Sequence, residues 1–238
     1  MKRFLHSGHI GDIIAFLSCM KTLGGGELVI TDDDGNVHLK MSGFKYESIE
    51  PLIAYQSYIS RVWFSDNHTG VTHDLRQFRK HWGRGNIVVL HAAELGIEPK
   101  YDKWLDAKPS METKGRIVCC RSPRYRNYNF PWKKILKRIG DRAVFVGTDD
   151  EHADMERLTG IKIDRHHVKN CLDIAEAIAG SDLFIGNQSS PYWVAAGLNH
   201  PCLQETNPIT PDSMIQYDGA HFCINGFVDM GIFEKYGI

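Results

Sequence analysis

Three stretches of this 238-residue chain gather the residue types that handle phosphates and protons. The first is Gly8-His9-Ile10-Gly11-Asp12, where two glycines allow a ligand to approach the backbone and Asp12 opens an apolar-periodic segment. That carboxylate stands where open α/β sheets place their ligands, or it simply caps the helix and favours its dipole. The spacing is only Gly-x-x-Gly, so the third glycine of a dinucleotide fingerprint is missing, although Asp32-Asp33-Asp34 follows about 20 residues on. The second stretch, Arg121 to Lys134, collects Arg121, Arg124, Arg126, Lys133 and Lys134 with hydroxyl and amide donors. Guanidinium forks suit phosphate oxygens; a solvated basic loop with Pro131-Trp132 packing a helix start is the plain alternative. The third, Gly186-Asn187-Gln188-Ser189-Ser190-Pro191, offers small polar residues at a helix start, where free N–H groups and the dipole attract an anion. The following Tyr192-Trp193 pair reads as core packing rather than a stacking platform.

The elements that must carry these stretches are legible in part. A strand over 2–6, a helix over 12–23 with Ile13, Ile14, Leu17 and Met20 on one face, a stop at Gly24-Gly25-Gly26 and a strand over 27–30 make a parallel crossover unit. A helix is expected over 51–59 and, in preference to a buried strand, over 86–95, and a polar linker over 99–115 divides the chain near residue 112. The cycle then restarts. A strand over 116–120 leads to a helix opened by Pro131, a strand over 142–146, helices over 150–158 and 172–179, a strand over 182–186 and a helix from Ser190 to Gly197. This alternation predicts two α/β domains, 1–112 and 113–238, with parallel sheets.

Bulk composition excludes other classes. The 28 basic and 29 acidic residues nearly cancel, so no global field draws the molecule to nucleic acid or an anionic surface. The longest apolar run is too short to span a bilayer and lacks a secretion-signal layout, which predicts a cytoplasmic address. Six scattered cysteines read as reduced core residues. His6, His9, His152, His166 and His167 lack ligand partners at regular spacing, so no metal site is expected.

Together the three stretches resemble the heptosyltransferase-like glycosyltransferases of family 9, most closely short relatives in bacteria and phages. The likeness runs through residues 8–14, Arg121-Ser122-Pro123-Arg124-Tyr125, Phe130-Pro131-Trp132, Phe145-Val146-Gly147 and residues 172–189. It covers most of the second half; in the first half only the opening motif and, more weakly, residues 73–79 carry it. The resemblance implies a GT-B architecture, two Rossmann-like domains facing a central cleft, the second binding a nucleoside-diphosphate sugar and the first an acceptor. It implies Asp12 as catalytic base, with Gly11, Arg121, Arg124, Lys133, Gly147, Asn187, Gln188, Ser189, Ser190 and Glu205 on the donor and His9, Arg76 and Arg79 on the acceptor. Gly147 would admit the base, Glu205 would accept from ribose hydroxyls, and inversion would proceed without a metal or resident cofactor. Where the family has Asp-Thr-Gly-Pro and a nearby histidine, this chain has Asn187-Gln188-Ser189-Ser190-Pro191. The heptose donor and lipopolysaccharide acceptor are therefore not carried over.

The acceptor stays open among a cell-surface glycan, a small molecule and a hydroxylated phage DNA base. A DNA acceptor would need a basic groove, for which Arg76, Arg79, Lys80, His81 and Arg84 are the first-half cluster; a solvated helix face is the better account of them. A nucleotide-sugar epimerase and a binding protein without turnover are the competing functions.

Overall fold

The computed structural model describes residues 1–32, 43–210 and 212–237, and Asp33 and Asp34 lie outside them. Two parallel sheets carry the chain. The first pairs β1 (Arg3–His6), β2 (Gly26–Ile30), β3 (Ile59–Phe64) and β4 (His73–Asp74) in the order β3-β2-β1-β4. The second contains β5 (Ile117–Cys120), β6 (Ala143–Phe145), β7 (Asp164–Arg165), β8 (Leu183–Asn187), β9 (Cys202–Glu205) and β10 (Ala220–Cys223). Its order, β10-β9-β8-β5-β6-β7, is the doubly wound nucleotide-binding arrangement, whose direction reverses between β5 and β8. In the first sheet the reversal lies between β1 and β4.

The helix after β1, α1 (Ile10–Thr22), is buried at every residue from Asp12 to Met20. A helix covered all round needs neighbours on both sides. The first sheet and α3 (Ile87–Leu95) cover one side, and α7 (Ser190–Gly197) of the second half covers the other, so one apolar core runs from Phe4 through Phe16 and Trp104 to Phe184 and Val194. Asn86 caps α3 by accepting from the N–H groups of Val88 and Val89. The segment expected as a polar linker is docked instead. Trp104 and Leu105 are fully buried, their N–H groups bond the Gly197 carbonyl at 2.9 and 2.8 Å, and Trp104 Nε1 donates to the Ile14 carbonyl at 2.9 Å. Its far end is fastened to α6 (Cys171–Gly180), where Thr113 Oγ1 donates to the Ala177 carbonyl at 2.8 Å.

The expected helix over 51–59 is corrected to α2 (Gly43–Ala54), with Pro51 inside it. Burial of Ile49, Leu52 and Ile53 on one face holds the helix through the proline, and Ile59 belongs to β3. The remaining helices are α4 (Trp132–Ile139), α5 (Asp149–Thr159) and α8 (Gly231–Lys235). Among the described residues no helix is long and apolar enough to cross a membrane. All six cysteines are buried free thiols.

A buried imidazole pair links β1 to α3. His6 and His91, both fully buried, meet Nε2 to Nε2 at 2.9 Å. The Gly8 N–H donates to His6 Nδ1, so His6 carries its proton on Nε2 and gives it to His91. Burial pushes His6 down to about 4 and His91 well below the ordinary imidazole value. Both are neutral when folded but take protons below about pH 6.5 when unfolded, so the unfolded state binds more protons and stability falls as pH drops from there toward 4. Urea titrations at about pH 7 and pH 5 are expected to show a loss of about 2 kcal/mol from His6 alone, and His6→Gln should flatten that dependence.

Candidate functional site

Both reversals of strand order open on one cavity of about 270 Å³. The segments following β1, β4, β5 and β8 line it, contributing respectively His9 to Asp12, Arg79, Ser122 with Arg124 and Tyr125, and Gln188 to Ser190. Lys45 from α2 and Asp212 from the segment after β9 complete its charged lining.

After β1 the chain turns tightly. A Cβ at Gly8 would stand 2.6 Å from His6 Cε1 and 2.8 Å from Asp12 Cβ, so only glycine fits. Asp12 Oδ2 accepts the His9 N–H at 3.0 Å, capping α1, and Arg79 Nη2 sits 2.9 and 2.8 Å from the two carboxylate oxygens. The cap and a cavity-facing carboxylate are thus the same group, with Arg79 fixing its plane. Arg79 lies 5.0 Å from the Phe78 ring centroid and 5.6 Å from that of Trp82. Gly11 has a packing reason: a Cβ there would meet Trp193 Cδ1 of α7 at 2.9 Å. Trp193, buried as expected, also forms part of the cavity wall.

On the opposite wall, Asn187 ties β8 to the loop after β5. Its Oδ1 accepts the Ser122 N–H at 3.0 Å while its Nδ2 donates to the carbonyls of Ser122 at 3.1 Å and Arg124 at 2.5 Å. An aspartate could not make the two donations, which gives a physical reason for the amide here. Tyr125 holds a left-handed backbone, φ 53°, uncommon for a residue with a side chain, and Arg124 Nη2 donates to its hydroxyl at 3.0 Å. Gln188 anchors the next loop, accepting the Asn207 N–H at 2.5 Å and donating to the Thr210 carbonyl. Ser189 begins α7 without using its side chain as a cap, and Pro191 stands in the first turn. The helix therefore presents its N-terminus to the cavity.

Charge shapes the titration of this lining. Burial lowers His9, reinforced by Arg124, Lys45 and Arg79 and opposed by Asp12. Burial raises Asp212, with Asp12 adding to the shift and Arg79 opposing it.

Other expected site residues point elsewhere. Arg121 is buried against Glu205, itself 0% exposed; Nε and Nη2 of Arg121 bond the carboxylate at 3.0 and 3.1 Å. The Asn127 N–H at 2.8 Å and Trp132 Nε1 at 2.7 Å occupy the same carboxylate. Neither residue lines the cavity, and Glu205 has no surface on which to meet a ribose: the expectation from the basic-loop pattern is corrected by a partner 84 positions away. Lys133 is exposed beside Trp132, outside the cavity. Gly147, φ 153°, makes the turn into α5, where a Cβ would stand 2.8 Å from Phe145 Cε1 and from Glu151 Oε2. Arg76 pairs with Asp74 at 2.8 Å, and Lys80 and His81 both bond Glu94. With Arg79 on Asp12, four of the five residues considered for a nucleic-acid groove, all but Arg84, are held by carboxylates. Sequence reasoning missed Lys45 and Asp212, since neither lies in a recognisable motif. Among the described residues no group of three or more histidine, cysteine, aspartate or glutamate side chains is placed to hold a metal ion.

By sequence the chain matches no family model and no curated protein. By structure it is similar to the glycosyl transferase family 9 protein of Veillonella parvula DSM 2008, at 13% identity and TM-score 0.62, covering 98% of this chain and 88% of that one. It is similar to E. coli heptosyltransferase WaaC with ADP-2-deoxy-2-fluoro heptose, at 10% identity and TM-score 0.58 over 94% and 93%. E. coli ADP-heptose lps heptosyltransferase II matches at 12% identity and TM-score 0.56 over 100% and 97%. The chain has the GT-B fold expected for it, two α/β domains with parallel sheets.

The Arg121–Glu205 pair yields a stability test. Glu205→Ala leaves a buried guanidinium unpaired and is expected to lower the unfolding free energy by about 3–5 kcal/mol in urea titration, against roughly 0.5 for an exposed ribose-binding carboxylate.

Proposed function

We propose that the chain is a glycosyltransferase that moves a sugar from a nucleoside-diphosphate sugar to a hydroxyl acceptor, with inversion. The observation that supports this best is the meeting of four strand ends on one cavity, with Asp12 on the first-half wall and the N-terminus of α7 with Arg124 on the second-half wall. Residues 1–112 serve as the acceptor domain and 113–238 as the donor domain.

In this reading the acceptor oxygen attacks the anomeric carbon while its proton passes to Asp12. The bond from that carbon to the diphosphate breaks, and the nucleoside diphosphate leaves with the electron pair. Arg79 and the His9 N–H hold the Asp12 carboxylate in one orientation. Ser189, Ser190 and the free N-terminus of α7, with Arg124, oppose the charge that develops on the leaving group, so the step needs no metal. Asn187, Gln188, Arg121 and Glu205 act behind these groups by fixing the loops that present them. The competing reading, a binder without turnover, drew its support from the altered Asn187 to Ser190 segment. The strand-tying role of Asn187 gives that amide a structural reason and leaves the reading without a specific observation in its favour.

A panel of nucleoside diphosphates and their sugars, screened by melting temperature, is expected to identify a donor that stabilises the native state. With that donor, Asp12→Asn should reduce release of nucleoside diphosphate by about 10²–10⁴-fold while the melting shift persists. Undiminished release by the variant would remove Asp12 from the base role.

A further inference from the structure

A second cavity, of about 540 Å³, opens between α4 and α5. Phe130, Pro131 and Trp132 form part of its lining, Leu158 and Tyr128 stand over it 51% and 88% exposed, and Lys133, Lys134 and Lys137 surround it. Helix α4 explains the arrangement: Trp132, Ile135, Leu136 and Ile139 are buried, which turns the lysines between them outward. Among the described residues no carboxylate lies within ion-pair distance of these three lysines, whereas Arg3, Arg79, Lys80, Arg116, Arg126 and Arg142 all have acidic partners. The three unpaired lysines thus share one face of α4 in a chain of net charge −1. A neighbouring loop adds apolar surface there. Asn127 Nδ2 donates to the Ile224 carbonyl at 2.7 Å and Gly226 packs on Asn129, and this loop presents Phe227 at 75% exposure.

We infer that this face docks on an anionic bilayer surface, with Tyr128, Leu158 and Phe227 entering the boundary between headgroups and acyl chains and the three lysines meeting lipid phosphates. The pairing of chemistries selects that occupant. Exposed apolar groups beside a cavity walled in part by Phe130, Pro131 and Trp132 gain by leaving water. Lysine stems lie along apolar surface while their ammonium groups remain at the headgroup level, and each juxtamembrane lysine strengthens attraction to anionic lipid about fivefold. A nucleic-acid strand would satisfy the charges but leave the aliphatic Leu158, 51% exposed, unmatched. The loop that carries Tyr128 also carries Arg124 and Tyr125 into the cleft, so a docked bilayer lies one loop away from the first cavity. The acceptor of the proposed transfer would then be a hydroxyl held at a membrane surface.

The test is flotation of the full chain with vesicles, which needs no sugar donor and so fails or succeeds apart from the transferase reading. The protein is expected to float with phosphatidylcholine vesicles containing about one-third phosphatidylglycerol, to stay behind with phosphatidylcholine alone, and to lose binding as salt is raised. Lys133→Glu/Lys134→Glu should weaken partition by at least about tenfold. Tyr128→Ser/Leu158→Ser should weaken it with the charge intact. All four side chains are exposed, so the melting temperature of both variants should match the parent and separate lost docking from lost folding. The inference is overturned if the parent stays behind with anionic vesicles, if both variants float as it does, or if a single-stranded oligonucleotide is bound through the same lysines while vesicles are not.

Discussion

Burial of α1 on both sides is the constraint from which the rest follows. A helix whose residues from Asp12 to Met20 are all inside cannot be completed by the first sheet alone. It needs α7, and α7 reaches it only because position 11 has no side chain to collide with Trp193. Each fully buried Phe, Leu or Ile contributes about 1.5–3 kcal/mol, so the apolar strip shared by α1, α7 and the docked 104–105 segment is a substantial part of what holds the halves together. The cleft is the polar remainder of that contact. It lies where the same two helices begin, and its width is set by packing a few residues away.

Packing brings the strand ends together, and buried polar groups then aim the loops. Glu205 receives Arg121, Asn127 and Trp132 at once, and Asn187 both accepts from and donates to the neighbouring strand's loop. Such groups are costly when any member is unmatched, so each loop has one arrangement in which the whole set is satisfied. That is a reason for a site to surround its reacting groups with charges that never touch a ligand: Arg121 and Glu205 lend no charge to the cavity, but they hold the loop that carries Ser122 and Arg124.

The parts of this architecture visible in the sequence are those with local causes. β1, α1, β2, α3, β5, β6, β8 and α7 announce themselves through apolar periodicity, glycine stops and cap residues, and the carboxylate of Asp12 through its place at a helix start. Of the strands not expected, β3 carries Val62, Trp63 and Phe64, a strand composition, whereas β4, β7 and β9 lack such causes. β4 and β7 are two residues long, and β9 reads Cys-Leu-Gln-Glu, which no propensity rule assigns to a buried strand. Glu205 belongs there only because Arg121 is waiting, and a pairing across 84 positions leaves no trace in local pattern. The same blindness made Arg121 look like a phosphate ligand and concealed Lys45 and Asp212. Residue type identified the chemistry in the neighbourhood, and only the fold could distinguish the groups that face the cavity from those that support it.

The electrostatics of the cleft carry the argument one step further. Its lining sets Lys45, Arg79 and Arg124 against Asp12 and Asp212, with His9 between them. Arg79 is occupied by Asp12, which leaves Lys45 and Arg124, one from each half, as the cations of this lining without a carboxylate partner among the described residues. An anion entering between them would neutralise the two charges that help to depress His9 and would reinforce the influence of Asp12 upon it. Filling the cavity also removes water, so each of these interactions strengthens as the ligand settles. A diphosphate fits that balance better than a neutral sugar alone, because only a multiple negative charge answers cations contributed by both walls.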